Sequence, residues 1–439
     1  MSDPTPHPDD PTAPAAPAER SGVPATRSTW QRVRRATGWC VAVVLGLLAV
    51  LTLAPDLLAG LSEDLRLSMR YPFAQALAVR SGLVLILALV GLVVAVSALT
   101  RVLRREGGLR TGVLALVLLL VAGTHTWVLW DRGLETTDLA TAPAAAGEPW
   151  DGGLTVLTFN TYGGRAHTVE LAIAIRSTAP DVVVLPETSA EDTTEILALL
   201  AQDGLAYTPF TTAPGAPEEA AEPADAGAAD PVAETAEPAD AVGEPAEPAG
   251  DLDDPADPAA SPEPTPTAPG AGSGAGATSV LVSAGIGEYE QASAPDGLGH
   301  GAVLLQPVGD ALLDGHQRPT ILGVHTIAPL KDTMEPWAQS VSRVVAQCAA
   351  PAPGLVLAGD LNATLDHAPM RDLGGCTDAA LQAGGGGLST WPVSTRTPLL
   401  GSPIDHVLID TATWTSTGVD LIEVPGSDHR ALVVTLEQH

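Results

Sequence analysis

The chain has 439 residues, a formal charge of −31, 45% hydrophobic residues and only 3% aromatics. That length allows two or three domains, and the charge excludes a passive nucleic-acid binder, which needs a cationic surface to neutralise phosphates. Three cysteines exclude a disulfide-rich scaffold, and no CxxC or Cys/His spacing points to zinc.

Residues 1–36 begin in Pro, Ala, Asp and Thr and are predicted to be a disordered cytoplasmic tail. The segment 37–131 holds three apolar runs, about 39–58, 82–100 and 112–130. Each is near the ~20 residues needed to cross a bilayer. A cleaved signal peptide is excluded for the first, because two further runs follow closely. Trp127 and Trp130 suit an interfacial aromatic belt, and His125 reads as a near-interface polar residue. Arg20, Arg27, Arg32, Arg34 and Arg35 precede the first run, and Arg101, Arg104, Arg105 and Arg110 separate the second from the third. This bias predicts a multi-pass plasma-membrane protein with its N-terminus in the cytoplasm and everything after Trp130 outside it.

Residues 132–150 read as a linker, and 151–439 as one α/β or α+β domain. LTVLTFN (154–160), DVVVLPE (181–187), SVLVSAG (279–285), GAVLLQPV (301–308), TILGVHT (320–326), LVLAGD (355–360), SPIDHVLID (402–410) and HRALVVTLEQ (429–438) have the composition of strands. Thr168–Ser177, Asp192–Gln202 and Trp337–Ala349 have helical spacing. Residues 212–278 are rich in Pro, Ala and acidic side chains, lack Lys and Arg, and read as a disordered insertion. Without it about 220 residues remain, an ordinary size for one domain. Cys348 and Cys376 either pair, if the domain faces an oxidising compartment, or stay as buried thiols.

Polar residues recur at the strand ends: Asn160, Glu187, His325, Asp360 with Asn362, Asp405 with His406, and Asp428 with His429. One such residue is ordinary capping; six strands ending this way suggest a shared site. Carboxylates and amides suit a hard divalent cation. With no GxSxG, P-loop or HExxH present, they point to metal-assisted hydrolysis of a phosphate ester.

At these residues the sequence resembles the endonuclease/exonuclease/phosphatase superfamily, the deoxyribonuclease I-like fold. The matching stretches are TFNTYGG (158–164), VVLPETS (183–189), VHT (324–326), AGDLNAT (358–364), SPIDHVLI (402–409) and GSDHRALVV (426–434). The resemblance implies a four-layer sandwich of two mixed β-sheets flanked by helices, and a Mg2+ (or Mn2+) cofactor. It implies Glu187 as the main metal ligand with Asn160 beside it and Asp428 assisting. Asp360 would align or activate the attacking water, Asn362 would hold the phosphate, and Asn160 would lie near it. His429, oriented by Asp405, would contact the scissile phosphate, and His325 would serve as acid toward the leaving group. The second motif departs from many relatives in placing Pro186 before Glu187.

Arg430 reads as a surface salt bridge, Trp391 as packing or a cleft wall, and His406 as an ordinary strand residue. His167, His300, His316 and His367 read as surface or loop residues. The expected function is a membrane-tethered, extracytoplasmic, metal-dependent phosphoesterase. Its partners are the lipid bilayer and a phosphate ester (nucleic acid, lipid head group or small phosphate ester), with no stable protein partner. The alternative is a catalytically silent binding or sensing ectodomain.

Overall fold

The computed structural model describes residues 25–137, 139, 149–212 and 274–439. The predicted tail as far as residue 24 and residues 213–273 of the predicted insertion lie outside the described residues. The chain forms two compact units, Met1–Asp131 and Arg132–His439.

The first unit contains α1 (Ala25–Leu51), a short α2 (Phe73–Ala78), α3 (Arg80–Leu103) and α4 (Leu109–Asp131). Three of these, over Arg32–Leu51, Arg80–Leu103 and Leu109–Asp131, are long and apolar enough to cross a membrane. The first apolar run was expected to reach Leu58, but α1 stops at Leu51 and turns precede and follow Pro55, which cannot supply an N–H to a continuing helix. Ala49, Leu87, Leu118, Val121 and Ala122 pack between the helices. Gly91 lets α3 approach α4, since a Cβ there would lie 2.9 Å from Leu119. Leu85, Ile86, Leu89, Val93 and Val96 remain exposed, an apolar face suited to lipid. His125 is fully buried, bonded to Thr52 Oγ1 at 2.8 Å and to the Arg80 guanidinium at 2.5 Å.

The second unit runs β1 (Leu154–Thr158), α5 (Thr168–Thr178), β2 (Val182–Pro186), α6 (Ala190–Gln202), β3 (Tyr207–Thr211), β4 (Thr278–Ser283), β5 (Tyr289–Ala292) and β6 (Gly301–Pro307). A small hairpin of β7 (Leu312–Leu313) and β8 (His316–Gln317) follows. Then come β9 (Thr320–His325), α7 (Met334–Ala346), β10 (Leu355–Asp360), β11 (Cys376–Asp378), α8 (Ala379–Gln382), β12 (Asp405–Asp410), β13 (Trp414–Glu423) and β14 (Arg430–Gln438).

Two six-stranded sheets result, ordered β13-β14-β1-β2-β4-β3 and β11-β12-β10-β9-β6-β5. Both are mixed: β1–β2 and β9–β10 are parallel, and the other pairs are antiparallel. The period-2 alternation of strand side chains sorts them into layers. Val156, Val182, Val184, Val280 and Val434 face the opposite sheet, meeting Val303, Ile321, Val356, Ala358 and Val407. Leu157, Val183, Leu185, Leu281 and Val433 point the other way, onto Leu171 and Ile175 of α5 and Ile196 and Leu200 of α6. Helix α6 starts with a full capping box, Ser189 and Asp192 each bonding the other's backbone. The sandwich of two mixed sheets flanked by helices is as expected. Sequence periodicity missed β3, β5, β7, β8, β11 and β13, which are short or lie at sheet edges.

Candidate active site

Strand direction decides where the polar ends meet. The parallel pair β1–β2 ends beside Asn160 and Glu187, and antiparallel β14 begins at that same end, just after Asp428 and His429. In the other sheet, parallel β9 and β10 end at His325 and Asp360, while antiparallel β12 starts there with Asp405. Asp360 and Asp405 are register partners. One end of the sandwich therefore collects all the expected residues.

The contacts are direct. The Asn160 amide donates to Glu187 Oε1 and to Asp360 Oδ2, both at 3.0 Å, and so spans the two sheets. Its oxygen accepts from the Tyr162 N–H at 2.9 Å. His429 Nδ1 bonds Asp405 Oδ2 at 2.8 Å, which leaves Nε2 facing Asp360 at 3.8 Å and Asp428 at 4.0 Å. His325 Nε2 lies 3.8 Å from Glu187 and 3.9 Å from Asp360. Asp360 Oδ1 accepts the Asn362 N–H at 2.8 Å, and the Asn362 amide donates to Thr326 O at 3.0 Å. Glu187 and Asn362 adopt left-handed φ of +59° and +46°. Asn tolerates this; for Glu it costs about 1–2 kcal/mol and turns the carboxylate off the line of β2.

Burial and charge set the protonation. The Asp360 carboxyl is pushed up to about 7, first by burial and then by the Asp405 charge, against the opposing pull of His429 and two hydrogen bonds. For His429 burial alone favours the neutral ring. The charge and hydrogen bond of Asp405, with Asp360 and Asp428, outweigh it and hold the imidazole at about 9. Burial, with His300 and His429 nearby, drives His325 down to about 3, so its ring is neutral.

Four carboxylates thus meet at one end, and among the described residues no Lys or Arg pairs with any of them. Asp405 Oδ1, Asp428 Oδ1 and His325 Nδ1 are buried without a hydrogen-bond partner there. An excess of hard oxygen donors with unspent lone pairs fits a divalent cation. Asp360, Asp405 and His429 also bring ligand atoms within 4.8 Å of one another. In that group the His429–Asp405 hydrogen bond occupies Nδ1, and Nε2 is the ring nitrogen facing Asp360.

A family model described as the endonuclease/exonuclease/phosphatase family matches residues 157–429. The chain belongs to this family. Solved structures match the chain at low identity. Humanized D. rerio TDP2 is 14% identical, with TM-score 0.42, covering 66% of this chain and 100% of its own. An endonuclease/exonuclease/phosphatase from Beutenbergia cavernae is 18% identical, with TM-score 0.40, covering 65% and 72%. The human Nocturnin catalytic domain is 13% identical, with TM-score 0.38, covering 66% and 94%. No curated protein matches the chain.

In this endonuclease/exonuclease/phosphatase domain several supporting residues escaped the sequence reading. His406, expected to be an ordinary strand residue, is buried; Nδ1 bonds Asp378 Oδ2 at 2.6 Å and Nε2 bonds Ala363 O at 2.9 Å, which holds the loop after Asn362. Arg430 does pair with Glu423 at 3.0 Å, but it is 1% exposed and not a surface bridge. Its guanidinium also reaches the carbonyls of Ser389, Pro392 and Val393. That braces the loop from which Trp391 Nε1 donates to Asp428 Oδ2 at 2.9 Å. His367, read as a surface or loop residue, lies in a loop but is buried edge-on against Trp337, accepting the Thr364 N–H. Cys348 and Cys376, which the sequence left either paired or as buried thiols, form a disulfide. None of these pairings has a sequence spacing that announces it.

Proposed function

We propose that this family member is a membrane-tethered, divalent-metal-dependent phosphoesterase acting outside the cytoplasm by in-line attack of water. The observation that carries the reading is the Asp405–His429 pair aimed at Asp360, with Glu187 and Asn160 alongside from the other sheet. Glu187, with Asn160 beside it and the unpartnered Asp428 oxygen, would hold the cation, Mg2+ or Mn2+. When bound, that ion supplies a Lewis acid at the phosphoryl oxygen.

The chain's own residues supply the rest. Asp360 titrates near neutrality, which suits a group that orients water and accepts its proton. His429 stays cationic and can donate from Nε2 to a non-bridging phosphate oxygen. The Asn362 amide has one N–H beyond its bond to Thr326, available to the same phosphate. His325, expected to protonate the leaving group, is neutral and can only donate a hydrogen bond to it.

Three apolar helices support the membrane tether. The arginine bias and the disulfide, a bond typical of oxidising compartments, support extracytoplasmic placement. The tether and acidic chain favour lipid or small phosphate esters over DNA.

The full chain in detergent should hydrolyse bis-p-nitrophenyl phosphate with Mg2+ or Mn2+ and stop on chelation. Glu187→Ala and His429→Ala should each lose at least about a hundredfold in kcat/KM, the scale of lost general acid–base or charge stabilisation. Metal-independent turnover, or activity indifferent to both changes, would sink the mechanism. Inactivity across diesters, monoesters and lipids would favour a binding ectodomain.

A further inference from the structure

Arg132, the first residue after α4, is bound into the catalytic unit rather than left in a free linker. Its guanidinium grips the Asp366 carboxylate with two bonds, at 2.6 and 3.1 Å. The side chains are only 15% and 5% exposed. Its own carbonyl accepts the Gly386 N–H, and Gly133 O accepts that of Gly387. Asp366 lies in the loop that starts at Asn362, the residue assigned to hold the substrate phosphate.

That loop is fastened at almost every step. Trp337 Nε1 donates to Asn362 O, His406 Nε2 bonds Ala363 O, and Arg371 donates to Asp366 O. All of those partners belong to the body of the domain. Arg132, by contrast, comes from the segment that directly follows α4. A bidentate Arg–carboxylate pair fixes direction as well as distance, and a loop shifted by 1 Å can cost a hundredfold in rate.

We propose that Arg132 is a positioning residue for the phosphate-holding loop: through Asp366 it sets Asn362, so that catalytic geometry depends on the first residue of the second unit. This rests on the phosphoesterase reading for its effect on turnover, but not for its effect on the loop.

The test uses the full chain in detergent, with Arg132→Ala, Arg132→Lys and Asp366→Asn. Two readouts are taken well below the melting temperature: hydrolysis of bis-p-nitrophenyl phosphate, and hydrogen exchange of peptides spanning 361–367. Arg132→Ala and Asp366→Asn should lose about tenfold or more in kcat/KM and exchange faster in 361–367, with β13 unchanged. Arg132→Lys, which keeps the charge but not the fork, should fall between. The charge-reversed pair Arg132→Asp with Asp366→Arg should recover part of both. If Arg132→Ala does not fold, Arg132→Lys and Asp366→Asn decide. A purely structural role would lower the melting temperature while leaving turnover and 361–367 exchange within twofold of the parent, and would overturn the proposal. Faster 361–367 exchange in the variants of a parent that shows no turnover would retain the positioning role and sink the phosphoesterase reading.

Discussion

Asp360 and Asp405 face each other across the β10–β12 ladder, two carboxylates at one register position with His429 between them. Burial first, and then the Asp405 charge, hold the proton on Asp360 up to about 7, while the surrounding carboxylates outweigh burial and keep His429 protonated to about 9. If Asp360 acts as base and His429 as a cation, kcat/KM should be bell-shaped. The charges of the protein alone place the rise near 7, as Asp360 ionises, and the fall near 9, as His429 loses its proton. A bound cation adds positive charge and moves both limbs to lower pH. Asp360→Asn should remove the lower limb along with most activity, and a flat profile from pH 5 to 10 would refute these assignments.

At the level of elements, the supporting structure is a relay of short segments. The Cys348–Cys376 disulfide joins the chain just past α7 to the start of β11. Asp378 at the end of β11 then caps α8 through Leu381 N and binds His406 on β12, which in turn holds Ala363 O. A 28-residue separation predicts a loop-closure contribution of about 3–4 kcal/mol for the disulfide. Cys348→Ser with Cys376→Ser should therefore lower the urea midpoint of the second unit substantially. Reduction of the parent should reproduce the change, and an unaltered midpoint would show that the bond contributes nothing. His406→Phe should cost more than its volume suggests, since it leaves Asp378 buried without its imidazole partner.

For the whole molecule, the informative question is which side of the membrane holds the second unit. Arginines flank the apolar helices unevenly, and three crossings would carry the chain to the side opposite its N-terminus. A C-terminal alkaline phosphatase fusion should be active and a cytoplasm-dependent reporter at the same point inactive; the reverse pattern would refute the orientation. A substrate panel of DNA, RNA, sphingomyelin, inositol phosphates and nucleotides would then place the protein within its family. Preference for bilayer-embedded esters is the outcome a tether leads one to expect.

Much of this was legible in the residues themselves. Apolar runs of bilayer length and strand alternation marked the helices and most strands, and the ordered motifs around Asn160, Glu187, Asp360 and His429 carried the family resemblance that implied the layers and the proposed chemistry. These are local signals, carried by periodicity and by residue type at a strand end. What only the tertiary structure decided is which polar groups touch. Asp360 meets Asp405 because β12 runs antiparallel to β10, and Asn160 bridges two sheets because the strands of both end on the same side. The Asp378–His406, Arg430–Val393 and Arg132–Asp366 contacts join residues 28, 37 and 234 positions apart. A hydrogen bond depends on distance and direction in space, and the linear order of side chains carries neither until the sheets have packed.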